Sequence, residues 1–289
     1  MVTAELVKQL RERTGAGMME CKKALVAANG DADAAAEQLR VQGLAKADKK
    51  SARVAAEGTL AIERADTRAV MIEVNCETDF VAKQEEFQAF ARSLAAAALA
   101  GNVTDVASLM SQRRGAETFE DLRKALIAKI GENINVRRVA AVSAPTALGA
   151  YLHGTRIGCL VALKGGTEEL ARDVAMHAAA MNPEYVSAGE VPGDIVARER
   201  AIFAEQSKSE GKPPEILAKM IEGKLRKRLA EITLLGQPFV KDDKITVEKL
   251  LKGAGAEVTS LVRFEVGAGI EKKQGDFVAE VMATVKAAH

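Results

Sequence analysis

The chain has 289 residues, 48% hydrophobic and 28% charged, which is enough for two or more domains with an ample core. Forty-one Lys and Arg against 40 Asp and Glu leave a net charge of +1, so no global charge footprint for nucleic acid or an acidic membrane is expected. Aromatic residues make up 3% and Trp is absent, so the interior must be built from Ala, Leu, Val, Ile and Met.

The first fifty residues read as three short helices. Leu6, Val7 and Leu10 share a face, and Thr14-Gly15-Ala16-Gly17 interrupts the helix. Met18, Cys21, Ala24, Leu25 and Ala28 then recur at helical spacing, and Asn29-Gly30 makes a C-terminal stop. Asp31 is a suitable N-cap for a third helix through Leu39. Lys46, Lys49, Lys50 and Arg53 break the apolar pattern and predict an exposed connector.

Gly58–Glu63 and Ala69–Asn75 have the pattern of a β-hairpin around Asp66-Thr67. Phe87, Phe90, Ala91, Leu94 and Ala98 follow with the spacing of a helix that covers a sheet. Phe119, Leu122, Leu126 and Ile130 stripe a further helix closed by Gly131. Ile134–Val142 reads as a strand, with Arg137 and Arg138 at a solvated edge. A weak repeat comes next: a second hairpin over Ala147–His153 and Ile157–Leu163, then a helix from Glu168 to about Ala180. Two charged helical stretches, Ile195–Ser207 and Pro214–Glu231, flank Ser209–Pro214 and predict a helical hairpin standing off the body. Val258–Val266 reads as a strand, and a short helix is expected from about Asp276.

Much familiar chemistry is absent from this sequence. There is no GxxxxGK[ST] loop, no third glycine to complete a dinucleotide fingerprint, no HExxH and no GxSxG. His153, His177 and His289 share no ligand spacing with a Cys or carboxylate, so no metal or cofactor is expected. The odd set Cys21, Cys76 and Cys159 suits buried small hydrophobes better than disulfides. No apolar run approaches the roughly 20 residues of a membrane span, and no signal peptide is evident, so a cytoplasmic protein is expected.

The richest stretch is Asn75-Cys76-Glu77-Thr78-Asp79-Phe80-Val81-Ala82-Lys83, where a strand ends and a helix begins. Locally, Phe80 could be a staple packing on Gln84 or Phe87, with Thr78 or Asp79 as N-cap. With Thr14–Leu25, Lys129–Arg138, His153–Gly158, Ala175-Met176-His177, Gly236–Val240 and Arg263–Gly267, however, this stretch resembles the bacterial elongation factor Ts family. The ordered matches cover essentially the whole chain. Gln112–Thr118 is longer than usual for that family and affects only a loop.

The resemblance implies an α+β fold with an N-terminal three-helix, UBA-like domain at 1–54. It implies a two-part core at 55–143 and 144–266 with a helical hairpin at 190–232, and a C-terminal module at 267–289. It implies a guanine-nucleotide exchange factor, not an enzyme, whose partner is elongation factor Tu in its GDP-bound and nucleotide-free states. Thr78, Asp79, Phe80 and Val81 would disturb the partner's magnesium site, and Met18, Met19, Ile130 and His153 would lie against a helix of its nucleotide domain. Direct nucleotide, metal or nucleic-acid binding is not expected, and a homodimer or 2:2 complex is left open. From the residues alone, Met18 and Ile130 also suit a core. Two rival functions stay open at this level: RNA binding through Lys224, Arg226, Lys227, Arg228 and the Lys46–Arg53 connector, or a thiol chemistry at Cys21 or Cys76.

Overall fold

The computed structural model describes residues 2–208 and 213–271, with the backbone alone for 44–49. The helix expected from Asp276 and the hairpin corner at Ser209–Lys212 lie outside these residues.

Helices α1 (Ala4–Thr14), α2 (Met18–Ala27) and α3 (Ala32–Lys50) enclose a small core of Val7, Leu10, Cys21, Ala24, Leu25 and Ala35. Thr3 caps α1 through Leu6 N–H, and Gly15 at φ 67° ends it in the left-handed conformation. The connector expected at Lys46–Arg53 is instead helical as far as Lys50. Its sequence is rich in helix formers, and Gly43 allows α3 to pack tightly. A Cβ at Gly43 would lie 2.9 Å from Ala128 Cβ on the helix beneath. Lys50 is half-buried, and its Nζ donates to Gly131 O at 2.6 Å.

The body contains two halves of one topology. In the first, β1 (Glu57–Ala65) and β2 (Arg68–Cys76) form the expected hairpin, with Asp66 at φ 49° in the turn. After α4 (Asp79–Ala82), α5 (Glu85–Gly101), α6 (Val106–Ser111), the two-residue strands β3 (Arg113–Arg114) and β4 (Glu117–Thr118), and α7 (Phe119–Ile130), strand β5 (Asn135–Ser143) pairs antiparallel with β2. In the second, β6 (Ala147–His153) pairs with β7 (Ile157–Lys164), and α8 (Glu168–Met181) follows. The chain then passes through α9 (Gly193–Ser207), α10 (Pro214–Ile232), β8 (Pro238–Phe239), β9 (Asp242–Thr246) and α11 (Val247–Gly253). Strand β10 (Glu257–Glu265) finally pairs with β7. The sheet orders β1-β2-β5 and β6-β7-β10 are therefore equivalent. The short helices α6 and α11 and the two small hairpins were not among the predicted elements.

The layers run helix, sheet, sheet, helix, and this explains the strand compositions. On β2, Val70, Ile72 and Val74 face Phe87, Phe90 and Leu94 of α5. Ala69 and Met71 face the other way and share a cluster with Leu148, Leu160, Ala162 and Phe264 of the second half. A strand covered on both faces reads as a continuous apolar run rather than an alternating one. Gly158 permits the close approach of the halves, since a Cβ there would lie 2.6 Å from Met71 Sδ.

Arg137 and Arg138 are not at a solvated edge. Both are half-buried and both reach Glu73, which is fully buried on β2, at 3.2 and 2.5 Å. Gly267 N–H donates to the same carboxylate at 2.8 Å, and Arg138 also lies 4.0 Å over the Phe264 ring. The two arginines also donate to Ala268 O and Glu265 O, so this cluster fastens the exit of β10 to the first sheet.

His177 on α8 is buried, and both ring nitrogens are used. Nδ1 accepts from Val240 N–H at 3.1 Å, which leaves the Nε2 proton for Gln237 Oε1 at 3.0 Å. Gln237 Nε2 in turn donates to Glu231 O and Met181 O, joining the ends of α10 and α8. Burial pushes the His177 pKa below the ordinary histidine value, although the bond to Gln237 opposes this. The unfolded chain takes up a proton near pH 6.5 that the folded ring resists. Stability from this site is therefore complete above that pH and falls below it, by at most about 1.4 kcal/mol per pH unit. The melting temperature of the protein should drop between pH 7 and 5, and a His177→Ala variant, less stable at pH 7, should show a flatter profile.

Candidate partner-binding site

The turn after β2 is built by its neighbours. Cys76 is fully buried, and its Sγ donates to Thr78 O at 3.1 Å. Thr78 is the N-cap of α4, and its Oγ1 accepts from Val81 N–H at 3.4 Å. Val81 and Ala82 are buried and anchor the turn in the first core, which directs Phe80 outward. Phe80 is 77% exposed, so the staple on Gln84 or Phe87 is not formed. It is the most exposed of the large apolar side chains among the described residues. Asp79 pairs with Lys83 at 2.6 Å, and that bond holds its carboxyl below the usual aspartate range.

A carboxylate from the loop after α7 grips the same turn. Glu132 accepts from Glu77 N–H at 3.1 Å, Thr78 N–H at 2.9 Å and the Thr78 hydroxyl at 2.6 Å. In return, Asn133 N–H donates to Glu77 Oε1 at 2.6 Å. Glu132 and Asn133 fall within the Lys129–Arg138 match, but sequence reasoning gave roles only to Ile130. The one available signal was a Glu-Asn pair placed just beyond the helix-ending Gly131.

Ile130, the last residue of α7, is partly buried and packs against the first core. It therefore lies close to the turn that Glu132 holds. Met18 and Met19 are 50% and 62% exposed. Periodicity alone placed Met18 in the core. It is the first residue of α2, and its half-exposed side chain is not among the residues of the three-helix core. The loop leading to Met18 rests on the residue before Ile130, since a Cβ at Gly15 would lie 2.9 Å from Lys129 Cδ. Lys129 also pairs with Glu86 of α5 at 2.8 Å. His153 lies exposed at the tip of the β6–β7 hairpin, stacked on Tyr151 with ring centroids 6.4 Å apart. Thr155 O in the same tip accepts from Leu60 N–H at 2.8 Å, and Arg156 pairs with Glu57, which stands opposite Cys76 in the hairpin register. Phe80 and Ile130 are thus joined directly through residues 131–133, with Met18 and Met19 linked through Lys129 and His153 through the base of β1.

Cys21, Cys76 and Cys159 are free and buried, and burial pushes the thiols of Cys76 and Cys159 up to about 12. That is the opposite of a reactive thiolate. Among the described residues no group of three His, Cys, Asp or Glu could hold a metal ion, and no helix is long and apolar enough to cross a membrane. A cleft of about 410 Å³ between the N-terminal helices and α7 is lined by charges of both signs, among them Glu20, Arg40, Asp121 and Lys124. Phe80 is not part of it. In the basic cluster of α10, Lys224 donates to Ser207 Oγ at 3.2 Å, and Arg228 reaches Glu199 and Glu231 at 3.7 and 3.9 Å.

An aromatic presented to water on a turn held by hydrogen bonds and buried neighbours is a feature of protein-docking surfaces. A family model described as "Elongation factor TS" matches residues 77–268. "Elongation factor Ts" of Francisella tularensis subsp. novicida (strain U112) is 57% identical over 286 residues, covering 99% of each chain. That of Thioalkalivibrio sulfidiphilus (strain HL-EbGR7) is 55% identical over 291 residues with the same coverage. The chain belongs to the elongation factor Ts family, and with that membership goes nucleotide exchange on elongation factor Tu in translation elongation.

Proposed function

We propose that this chain releases GDP from elongation factor Tu by setting the Thr78–Val81 turn against the partner's magnesium site. Phe80 wedges between side chains of the partner's nucleotide domain, with Asp79 contacting the same region, and magnesium loses its support. Magnesium neutralises phosphate charge, so its displacement weakens the hold on GDP. Met18, Met19, Ile130 and His153 bind a helix of the same domain. The observation that carries this reading is the 77% exposure of Phe80 on a turn held by the Thr78 cap and by the buried Val81 and Ala82.

An exchange factor works by binding the nucleotide-free partner better than the loaded one, and by linkage GDP weakens its binding in the same ratio. No covalent bond is made or broken, so the chain is not an enzyme in that sense, and it acts in the cytoplasm where translation takes place. On this reading the functional units are 1–54, 55–143, 144–266 with the hairpin 190–232, and 267–289. Internal pairing of Lys224 and Arg228 gives the RNA-binding alternative no support.

Magnesium dependence tests the mechanism. Release of a fluorescent GDP from elongation factor Tu is timed with and without this protein, in millimolar magnesium and after chelation. The acceleration should shrink sharply once magnesium is gone, because the chelator has already done the factor's work. An acceleration of equal size in both conditions would contradict the magnesium route.

A further inference from the structure

We infer that Glu132 is a positioning residue for nucleotide exchange, fixing the turn that carries Phe80. The inference rests on the reading of Phe80 given above and extends it to residues that touch no nucleotide.

The Glu132 carboxylate accepts three donors at the start of α4: Glu77 N–H, Thr78 N–H and the Thr78 hydroxyl. Because the hydroxyl donates to Glu132, an Oγ1 lone pair is left to accept from Val81 N–H. The cap of α4 is thereby oriented from outside the helix. A four-residue helix has little stability of its own, so its geometry depends on such restraints. Asn133 N–H to Glu77 Oε1 closes a second strap in the opposite direction.

The same loop reaches the N-terminal unit. Gly131 O accepts from Lys50 Nζ at the end of α3, and Asn133 Nδ2 donates to Ser51 O and Arg53 O at 3.3 and 2.7 Å. Three consecutive residues thus hold the end of α3, the start of α4 and the connector after α3. A docking aromatic on a pre-ordered turn avoids the cost of ordering that turn on binding. Loss of Glu132 should therefore weaken the action of Phe80 without removing any contact to the partner.

The test is a double-mutant cycle read by stimulated release of fluorescent GDP from elongation factor Tu, with the full-length chain throughout. Glu132→Ala should slow release at saturating factor by about ten-fold, the scale expected for lost charge-assisted hydrogen bonds. The half-saturating concentration should move less. Phe80→Ala combined with Glu132→Ala should be no slower than Phe80→Ala alone, because Glu132 acts through Phe80. A purely structural role would instead multiply the two losses, and that result overturns the inference, as does wild-type speed for Glu132→Ala. If the Ala variant does not fold, Glu132→Gln, which keeps the volume but not the charge, takes its place in the cycle. It should give a smaller loss that is likewise absent beside Phe80→Ala, and wild-type speed again overturns the inference. Wild-type speed for Phe80→Ala itself would refute the underlying reading of Phe80 instead.

Discussion

Phe80→Ala is expected to slow factor-stimulated release of GDP by about 30-fold, corresponding to roughly 2 kcal/mol for truncating an aromatic anchor at an interface. The folded chain should hardly notice the change. Phe80 is 77% exposed and belongs to none of the hydrophobic clusters, so its removal opens no cavity. The Thr78 cap and the Val81 and Ala82 anchors are untouched. The melting temperature should stay near that of the parent while exchange falls. This combination separates a contact residue from a core residue, whose truncation would lower both. Stopped-flow release and a thermal melt on the same preparations check it.

Glu73→Ala is expected to destabilise the fold by about 3–5 kcal/mol, the scale for removing one member of a buried ion pair. The variant leaves the half-buried guanidinium groups of Arg137 and Arg138 without their shared carboxylate and Gly267 N–H without its acceptor, while Asn75 Nδ2 keeps only Glu57 O. Asn75 Oδ1, buried without a hydrogen bond, is a spare acceptor beside this cluster, but a neutral amide cannot replace the carboxylate that faces two guanidinium groups. Urea denaturation at pH 7 measures the loss. Burial by itself would raise the Glu73 pKa, but Gly267 N–H, Asn75 and Arg138 outweigh it and hold the carboxyl below the ordinary glutamate range. The stability that this carboxylate contributes is thus present above the unfolded value of about 4.3 and is lost as pH falls through the lower folded value. The gap between the parent and Glu73→Ala should therefore narrow as the solution is acidified below that range.

Glu73 also shows where sequence reading stops. Hydrophobic spacing gave β1, β2, α5, α7, β6, β7 and α8 close to their observed bounds, because each buries a face set by its own period. Arg137 and Arg138 looked like a solvated edge since their partner is 64 and 65 residues away in sequence. The same holds for Glu132, which meets Thr78 across 54 residues. Such polar pairings leave no local signature. The continuation of α3 to Lys50 was missed because Lys46, Lys49, Lys50 and Arg53 interrupt the apolar pattern, while the packing of Gly43 on Ala128 is visible only in the fold. For Phe80, local sequence favoured a staple and the family resemblance a free ring, and the fold shows Val81 and Ala82 in the buried positions with the ring in water.

The central claim is that Phe80 leaves water for a seat beside the partner's magnesium site. A structure of this chain bound to nucleotide-free elongation factor Tu tests it most directly. The account predicts the Phe80 ring enclosed by side chains of the partner's nucleotide domain, with the magnesium position disrupted. A complex in which Phe80 remains exposed while GDP is still released would contradict it.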